Sequence, residues 1–224
     1  MTSREQRKGS SVSGPVTGRT RDLVVFLDKT IFRLAKHWLA LANIFWGLYV
    51  VLPVLAPVMM DAGWTVPARV VYTIYRPACH QRPERSYFVG GERFVYTPEE
   101  LAARDVDLDP FVRDIGNQTV GWKMAFCQRD VAIYGSMFLA GLAYALVRRR
   151  LKGWKMPFRY FLLLLVPMGI DGVLQLFAFY ESTWVMRTIT GVIFGTGAVF
   201  FAYPYLEEGF VDVRRTVNAK LHLE

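Results

Sequence analysis

The stretch Tyr75 to Phe88, YRPACHQRPERSYF, concentrates side chains that can do chemistry. Cys79, one of only two cysteines in the chain, is followed directly by His80. Arg82 and Arg85 come next. A thiol and an imidazole are metal ligands and proton carriers, whereas guanidinium groups bind phosphate and carboxylate. The stretch is therefore a candidate for metal binding, acid–base chemistry or anion recognition.

The second cysteine, Cys127, leaves three interpretations of the pair open. In an oxidising compartment a disulfide to Cys79 would close a loop of about 48 residues, worth about 4 kcal/mol in the chain-entropy model. In a reducing compartment both residues would be buried thiols. The third interpretation is a zinc site, in which Asp130 or solvent joins the two thiolates and the His80 imidazole. The ligand types fit zinc, although the sequence has no CxxC or HxxxH spacing.

The hydropathy pattern indicates a membrane as the setting of these residues. The 224-residue chain is 53% hydrophobic, and its apolar residues form long blocks. Residues 38–60 contain 23 positions without a charge, enough to cross a hydrocarbon core of about 30 Å. Further spans are predicted at 131–147, 160–180 and 188–206. The sequence thus predicts an all-α, polytopic integral membrane protein with four transmembrane helices.

The distribution of charge predicts the orientation of these spans. Residues 1–37 carry eight Lys/Arg against three acids, and 148–159 carry six against none, whereas 61–130 carry nine against ten. The positive-inside rule places both basic segments in the cytoplasm and 61–130 and 181–187 outside. We expect a multi-pass plasma membrane protein with both termini cytoplasmic. The net charge of +8 is then a topology signal and not a sign of nucleic-acid binding.

The segments outside the spans differ in composition. Residues 1–22 are predicted to be a disordered cytoplasmic tail. Residues 23–36 have helical apolar spacing and form either an amphipathic helix at the membrane interface or an extension of the first span. The membrane domain covers 37–206, and its outer loop 61–130 begins with a helix too short to cross. Residues 207–224 form a cytoplasmic tail.

Alternate helix ends meet at one membrane face, so this topology gathers polar residues that are distant in sequence. An acid inside a span costs about 2.5–3.5 kcal/mol on insertion scales, so Asp171 requires a partner such as Arg129 or Arg187, or else protonation. Two roles stay open for it: interhelical hydrogen bonding, and contact with a ligand or proton. The predicted site comprises Cys79, His80, Arg82, Arg85, Cys127, Arg129, Asp130, Asp171, Gln175, Glu181 and Arg187.

Four arginines of this set suggest an anion site, because guanidinium forks match phosphate. The expected ligand is a phospholipid or polyprenyl-phosphate headgroup. The alternative is internal ion pairing, because four acids nearly balance the arginines: Glu84, Asp130, Asp171 and Glu181. Glycines of the GxxxG at Gly191 and Gly195 are expected to serve close helix packing.

Four stretches of the chain resemble the family of small membrane proteins called domain of unknown function 2085. They are CHQRPERS (79–86), CQRDVAIYG (127–135), PMGIDGVLQ (167–175) and RTITGVIFG (187–195), within about residues 70–200. The family pattern usually has a small residue at Gln128 and Gly at Ala132. The resemblance implies that the four stretches work as one unit, and it implies no particular activity.

Three classes of function follow from these residues. The first is a binding protein for a metal ion, with zinc as the candidate, or for an anionic headgroup. The second is an accessory or assembly subunit of a larger membrane complex, whose polar network is structural. The third is an enzyme that modifies lipid phosphates, with Asp171, Asp130 or His80 as the acid or base. Membrane lipids are expected partners in all three.

Overall fold

The structure is a computed structural model that describes residues 18–109, 111–177 and 180–221. Its helices are α1 (Arg19–Asp61), α2 (Thr65–Tyr75), α3 (Pro98–Ala102), α4 (Gln128–Val147), α5 (Phe158–Leu176) and α6 (Trp184–Leu221). The strands are β1 (Ser86–Val89), β2 (Gly116–Asn117) and β3 (Gly121–Cys127), and a 3-10 turn covers Pro83–Arg85.

Four helices, α1, α4, α5 and α6, are long and apolar enough to cross a membrane, judged by length and composition. The predicted all-α membrane fold with four spans is confirmed. Its boundaries differ in detail: α5 ends at Leu176, before the predicted end of the third span at 180, and residues 178 and 179 lie outside the described residues.

The amino-terminal part of the chain is more helical than the sequence suggests. Residues 1–17 of the predicted disordered tail lie outside the described residues, but α1 begins at Arg19, so the prediction of disorder is wrong for 19–22. Residues 23–36 are helical and continue into the first span within one helix, which matches the second alternative given for them. The predicted tail 207–224 likewise continues α6 as far as Leu221.

The chain divides into two compact units. Of the described residues, the smaller unit contains 18–38 and 209–221, and in it Trp38 stacks on Phe210 with ring centroids 5.4 Å apart. The larger unit contains residues 39–208, and the candidate site lies within it.

Within the larger unit, α4 packs against both α1 and α6. The Asn43 side chain of α1 donates to the Gly141 carbonyl of α4 at 3.2 Å. On α6, a Cβ at Gly191 would lie 2.8 Å from the Ala132 Cβ and 3.0 Å from the Arg129 carbonyl oxygen. The predicted role of Gly191 in close helix approach is confirmed, because a larger side chain there has no room.

The segment between α1 and α4 contains a small antiparallel sheet that the sequence analysis did not predict. Its strand order is β1-β3-β2. The bend into β3 needs Gly121, whose φ of +78° is unfavourable for residues with a Cβ. The short helix α3 begins after Thr97, where Thr97 and Glu100 form a capping box.

Candidate functional site

The sheet brings the two cysteine-containing stretches together. β1 begins one residue after the 3-10 turn of CHQRPERS, and β3 ends at Cys127, where α4 begins. β1 and β3 pair antiparallel, with Ser86 opposite Cys127. The Gln128 side chain strengthens this junction by donating to the Ser86 carbonyl at 3.1 Å. Residues 41 positions apart in the sequence therefore meet at the start of a membrane-spanning helix.

A buried lysine holds the turn that carries Cys79 and His80. The ammonium of Lys123, on β3, is fully buried and donates to the Gln81 carbonyl. Gln81 has a φ of +51°, and its side chain donates to the Tyr72 carbonyl of α2 at 2.9 Å. Tyr72 in turn donates its hydroxyl hydrogen to the Lys123 carbonyl. Burial lowers the pKa of Lys123 to about 8 and raises that of Tyr72.

The sequence analysis missed Lys123, Tyr72 and Gln81 as supports of the site. One signal was present, because Lys123 is the only charge within the apolar strand GWKMAFC. A lysine among apolar residues is seldom buried without a partner, so this position pointed to a buried acceptor.

The two thiols and a carboxylate form the innermost part of the site. The backbone N–H of Cys127 donates to Cys79 Sγ at 3.2 Å, and Cys127 Sγ donates to Asp130 Oδ2 at 3.2 Å. Both cysteines are buried and neither is in a disulfide. The hydrogen bond with Cys79, burial and the nearby Asp130 raise the pKa of the Cys127 thiol above its usual value.

His80 lies next to Cys79 in the chain, but its hydrogen bond is made with the backbone of Arg82 and not with this cluster. Its Nδ1 accepts from the Arg82 backbone N–H at 3.1 Å, so a neutral ring carries its proton on Nε2. Desolvation and the Arg85 guanidinium lower the pKa of His80, which favours this neutral form at pH 7. His80 is thus a hydrogen-bond donor at the site.

Two arginines approach one another at the other side of the site. With the Gln175 amide oxygen facing them, that oxygen accepts from Arg85 at 3.0 Å and from Arg187 at 3.3 Å. Arg187 also donates to Gln128 Oε1 at 3.0 Å. Desolvation and the charge of Arg82 lower the pKa of Arg85. Across the described residues, neither Arg85 nor Arg187 forms an ion pair with a carboxylate.

The other two arginines of the predicted set are paired with acids. Arg129 on α4 forms an ion pair with Asp171 on α5, and the Tyr180 hydroxyl donates to the same carboxylate. Arg82 pairs with Glu84. The internal pairing considered for the arginines therefore holds for two of the four.

Most of the predicted residues face one cavity of about 220 Å³. Of the described residues predicted for the site, Arg82, Asp171 and Glu181 do not line it. Asp171 is 2% exposed and forms an ion pair with Arg129, which lines the cavity. The lining residues are Ala78, Cys79, His80, Arg85, Cys127, Arg129, Asp130, Gln175 and Arg187.

Residues 118–201 match the family model described as "Predicted membrane protein (DUF2085)". The chain is similar to this family over that segment, the DUF2085 segment, which is less than half of its length. Over 146 residues, 65% of its length, the chain is also 29% identical to a Methanocaldococcus jannaschii protein named "Uncharacterized protein MJ1492", and the alignment covers 74% of that protein. No solved structure gives a significant match to the chain.

The DUF2085 segment supplies only part of the cavity. It contains β3, α4, α5 and the first half of α6, and with them Cys127, Asp130 and Arg187. It begins after CHQRPERS, so Cys79 and Arg85 reach the cavity from outside the matched segment. The site is thus assembled from the DUF2085 segment and the segment that precedes it, which follows α1.

Proposed function

We propose that this membrane protein binds a phosphate-type oxyanion in the cavity, held by Arg85 and Arg187 at the outer membrane face. The observation that carries the proposal is the convergence of these two guanidinium groups on the single oxygen of Gln175. Neither arginine has a carboxylate partner among the described residues, and both line the cavity.

The burial of Arg187 gives independent support. The residue is 7% exposed, and its Nε is buried without a hydrogen-bond partner in the described part of the chain. A buried, unsatisfied guanidinium N–H costs about 1–3 kcal/mol or more. An oxyanion in the cavity would offset this cost by binding the terminal N–H groups of the same guanidinium, because phosphate offers several acceptor oxygens to the planar fork.

The Gln175 oxygen indicates how the ligand would sit. It accepts from both arginines at hydrogen-bond distance, as a phosphate oxygen would. A ligand oxygen can therefore replace the amide oxygen without moving either arginine far. The bound anion would also relieve the repulsion between Arg85 and Arg187, two like charges held close together.

The source of the anion is either a lipid headgroup or free phosphate. Protein purified in detergent is reconstituted in nanodiscs of phosphatidylcholine, with or without phosphatidic acid, and its thermal midpoint is measured. A rise with phosphatidic acid alone identifies a lipid headgroup, whereas a rise with millimolar inorganic phosphate in plain nanodiscs identifies the free ion. No rise in either arm contradicts the proposal.

Two variants and one control connect binding to the arginines. Arg85→Gln and Arg187→Gln each remove a charge-assisted hydrogen bond worth about 1.5–3 kcal/mol, so affinity should fall about 10- to 100-fold. Arg76→Gln removes an exposed arginine outside the cavity and should leave affinity unchanged. An equal loss in all three would mean that only general charge attracts the anion.

The positions of the three candidate acids or bases also reduce the choice of catalytic residue for the enzyme hypothesis. Of the three residues proposed as acid or base, His80 and Asp130 face the cavity, while Asp171 is held by Arg129 and Tyr180. If the bound lipid phosphate is hydrolysed, Asp130→Asn should abolish release of phosphate, whereas anion binding through Arg85 and Arg187 should persist. Release that survives the change would exclude Asp130 as the acid or base.

A further inference from the structure

We infer that Cys79, Cys127 and Asp130 form a zinc site in the wall of the cavity. This inference goes beyond the anion proposal and does not depend on it, because it uses different side chains. The inference is based on the geometry of the three side chains: one ligand atom from each residue lies within 4.8 Å of the other two.

The spacing of the three donor atoms suits a single small ion. Zinc lies about 2.3 Å from thiolate sulfur and about 2.0–2.2 Å from carboxylate oxygen, so tetrahedral ligand atoms stand about 3.5–3.8 Å apart. Cys127 Sγ and Asp130 Oδ2 are 3.2 Å apart, close to that value. The other pairs of ligand atoms lie within 4.8 Å of one another, so shifts of about 1 Å would bring all three to the tetrahedral spacing.

The chain positions the ligands in advance. Cys127 is the N-cap residue of α4 and Asp130 lies in its first turn, so these two are fixed relative to one another by the helix. Cys79 is joined to them by the hydrogen bond from the Cys127 N–H to its sulfur. An N–H donor to a ligating sulfur is the kind of outer contact that orients metal ligands.

The chemistry of the donors favours zinc over hard cations. Two thiolates select soft or borderline metals, whereas magnesium and calcium prefer all-oxygen sites. On binding, the ion replaces one proton on each thiol, two protons pass to solvent, and no electron is transferred. The bound cluster of two thiolates, one carboxylate and Zn²⁺ carries one negative charge, which the arginines that line the same cavity offset.

The fourth coordination position opens toward the cavity. All three ligands line it, so a water or an oxyanion can complete the tetrahedron. His80 is not the fourth ligand in this arrangement, because its Nδ1 accepts from the Arg82 N–H and its Nε2 carries the proton. The zinc set therefore differs from the one expected from the sequence by the loss of His80.

Zinc binding is measured on the full-length protein in detergent, purified with reductant and stripped with a chelator. Titration of Zn²⁺ against a chromophoric competitor should show one tight site per chain, and elemental analysis should agree. Cys79→Ser, Cys127→Ser and Asp130→Asn should each weaken binding at least 100-fold. His37→Gln serves as the control, since it alters an exposed histidine outside the cavity, and it should keep the affinity of the wild type.

Cobalt provides a second readout that does not depend on affinity. Co²⁺ in the site should give a thiolate charge-transfer band, which Cys79→Ser and Cys127→Ser reduce and Asp130→Asn retains. Arg85→Gln should keep the zinc site even if it loses the oxyanion, so failure of one proposal is separable from failure of the other. Absence of stoichiometric zinc, equal zinc binding by the Cys79→Ser variant, or a Cys79–Cys127 disulfide in protein taken from its native membrane would overturn the inference.

Discussion

Arg129 on α4 and Asp171 on α5 form an ion pair within the membrane-spanning helices, with the Asp171 side chain 1% exposed and that of Arg129 22% exposed. The pair neutralises the acid that the apolar third span would otherwise expose to lipid. It also directs Arg129 from the wall of the cavity toward α5. One interhelical contact thus links the packing of two spans to the composition of the site.

Replacement of Asp171 by Asn should destabilise the protein by about 2–3 kcal/mol, because it leaves the partly buried Arg129 without its counter-charge. For a chain of this size that lowers the thermal midpoint by about 4–12 °C. The double variant Arg129→Gln with Asp171→Asn should cost less than the two single changes added together. Additive effects in the thermal unfolding of the four proteins would show that the pair is not coupled.

Gly195 on α6 should not tolerate a methyl group. Its Cβ would press on the Ile133 carbonyl oxygen and the Ser136 hydroxyl of α4, and the backbone atom cannot move aside. Gly195→Ala should therefore lower stability by about 1–3 kcal/mol. Gly169→Ala is the matched control, because nothing lies within 4 Å of the added atom. Equal thermal midpoints for the two variants would contradict tight packing of α4 against α6.

The buried Lys123 should make stability depend on pH. Its pKa is about 8 in the folded protein against a usual 10.5, so between these values the unfolded chain binds more protons and stability rises with pH. The difference in thermal midpoint between wild type and Lys123→Met should therefore shift in favour of the wild type from about pH 8 upward. The pKa values of Cys127 and Tyr72 are raised by folding, so these two groups make stability fall as the pH rises. Both groups are present in the wild type and in the variant, so their effects cancel in the difference. A difference that stays flat from pH 7 to 10 would show that the ammonium is not desolvated.

The orientation in the membrane can be tested by labelling. If the segment 61–130 is outside, Phe111→Cys, at a position 91% exposed, should react with a membrane-impermeant maleimide in intact cells. Lys152→Cys, in the basic connection between α4 and α5, should react only after permeabilisation. The two native cysteines are buried, so labelling of the wild-type protein gives the background signal. The reverse pattern would place the site in the cytoplasm.

The four spans follow from the sequence alone, because long uncharged runs cross a membrane whatever their neighbours do. The sequence also predicted that Cys79, Arg85, Cys127 and Arg187 converge, since alternate helix ends must share a membrane face. In the structure all four of these residues line the cavity. The capping box of Thr97 and Glu100 also depends only on nearby sequence, because its two residues lie within one stretch of four.

Which polar groups pair, and which face the cavity, depends on how the helices and strands pack. Asp171 had two possible arginines, and the geometry gives it Arg129, which leaves Arg187 for the cavity. The sheet and the buried Lys123 depend on contacts between residues about 40 positions apart, which no local periodicity records. Spans follow from the local chemistry of the chain, but partner choice follows from distances between side chains, and those distances exist only after the helices and strands have packed.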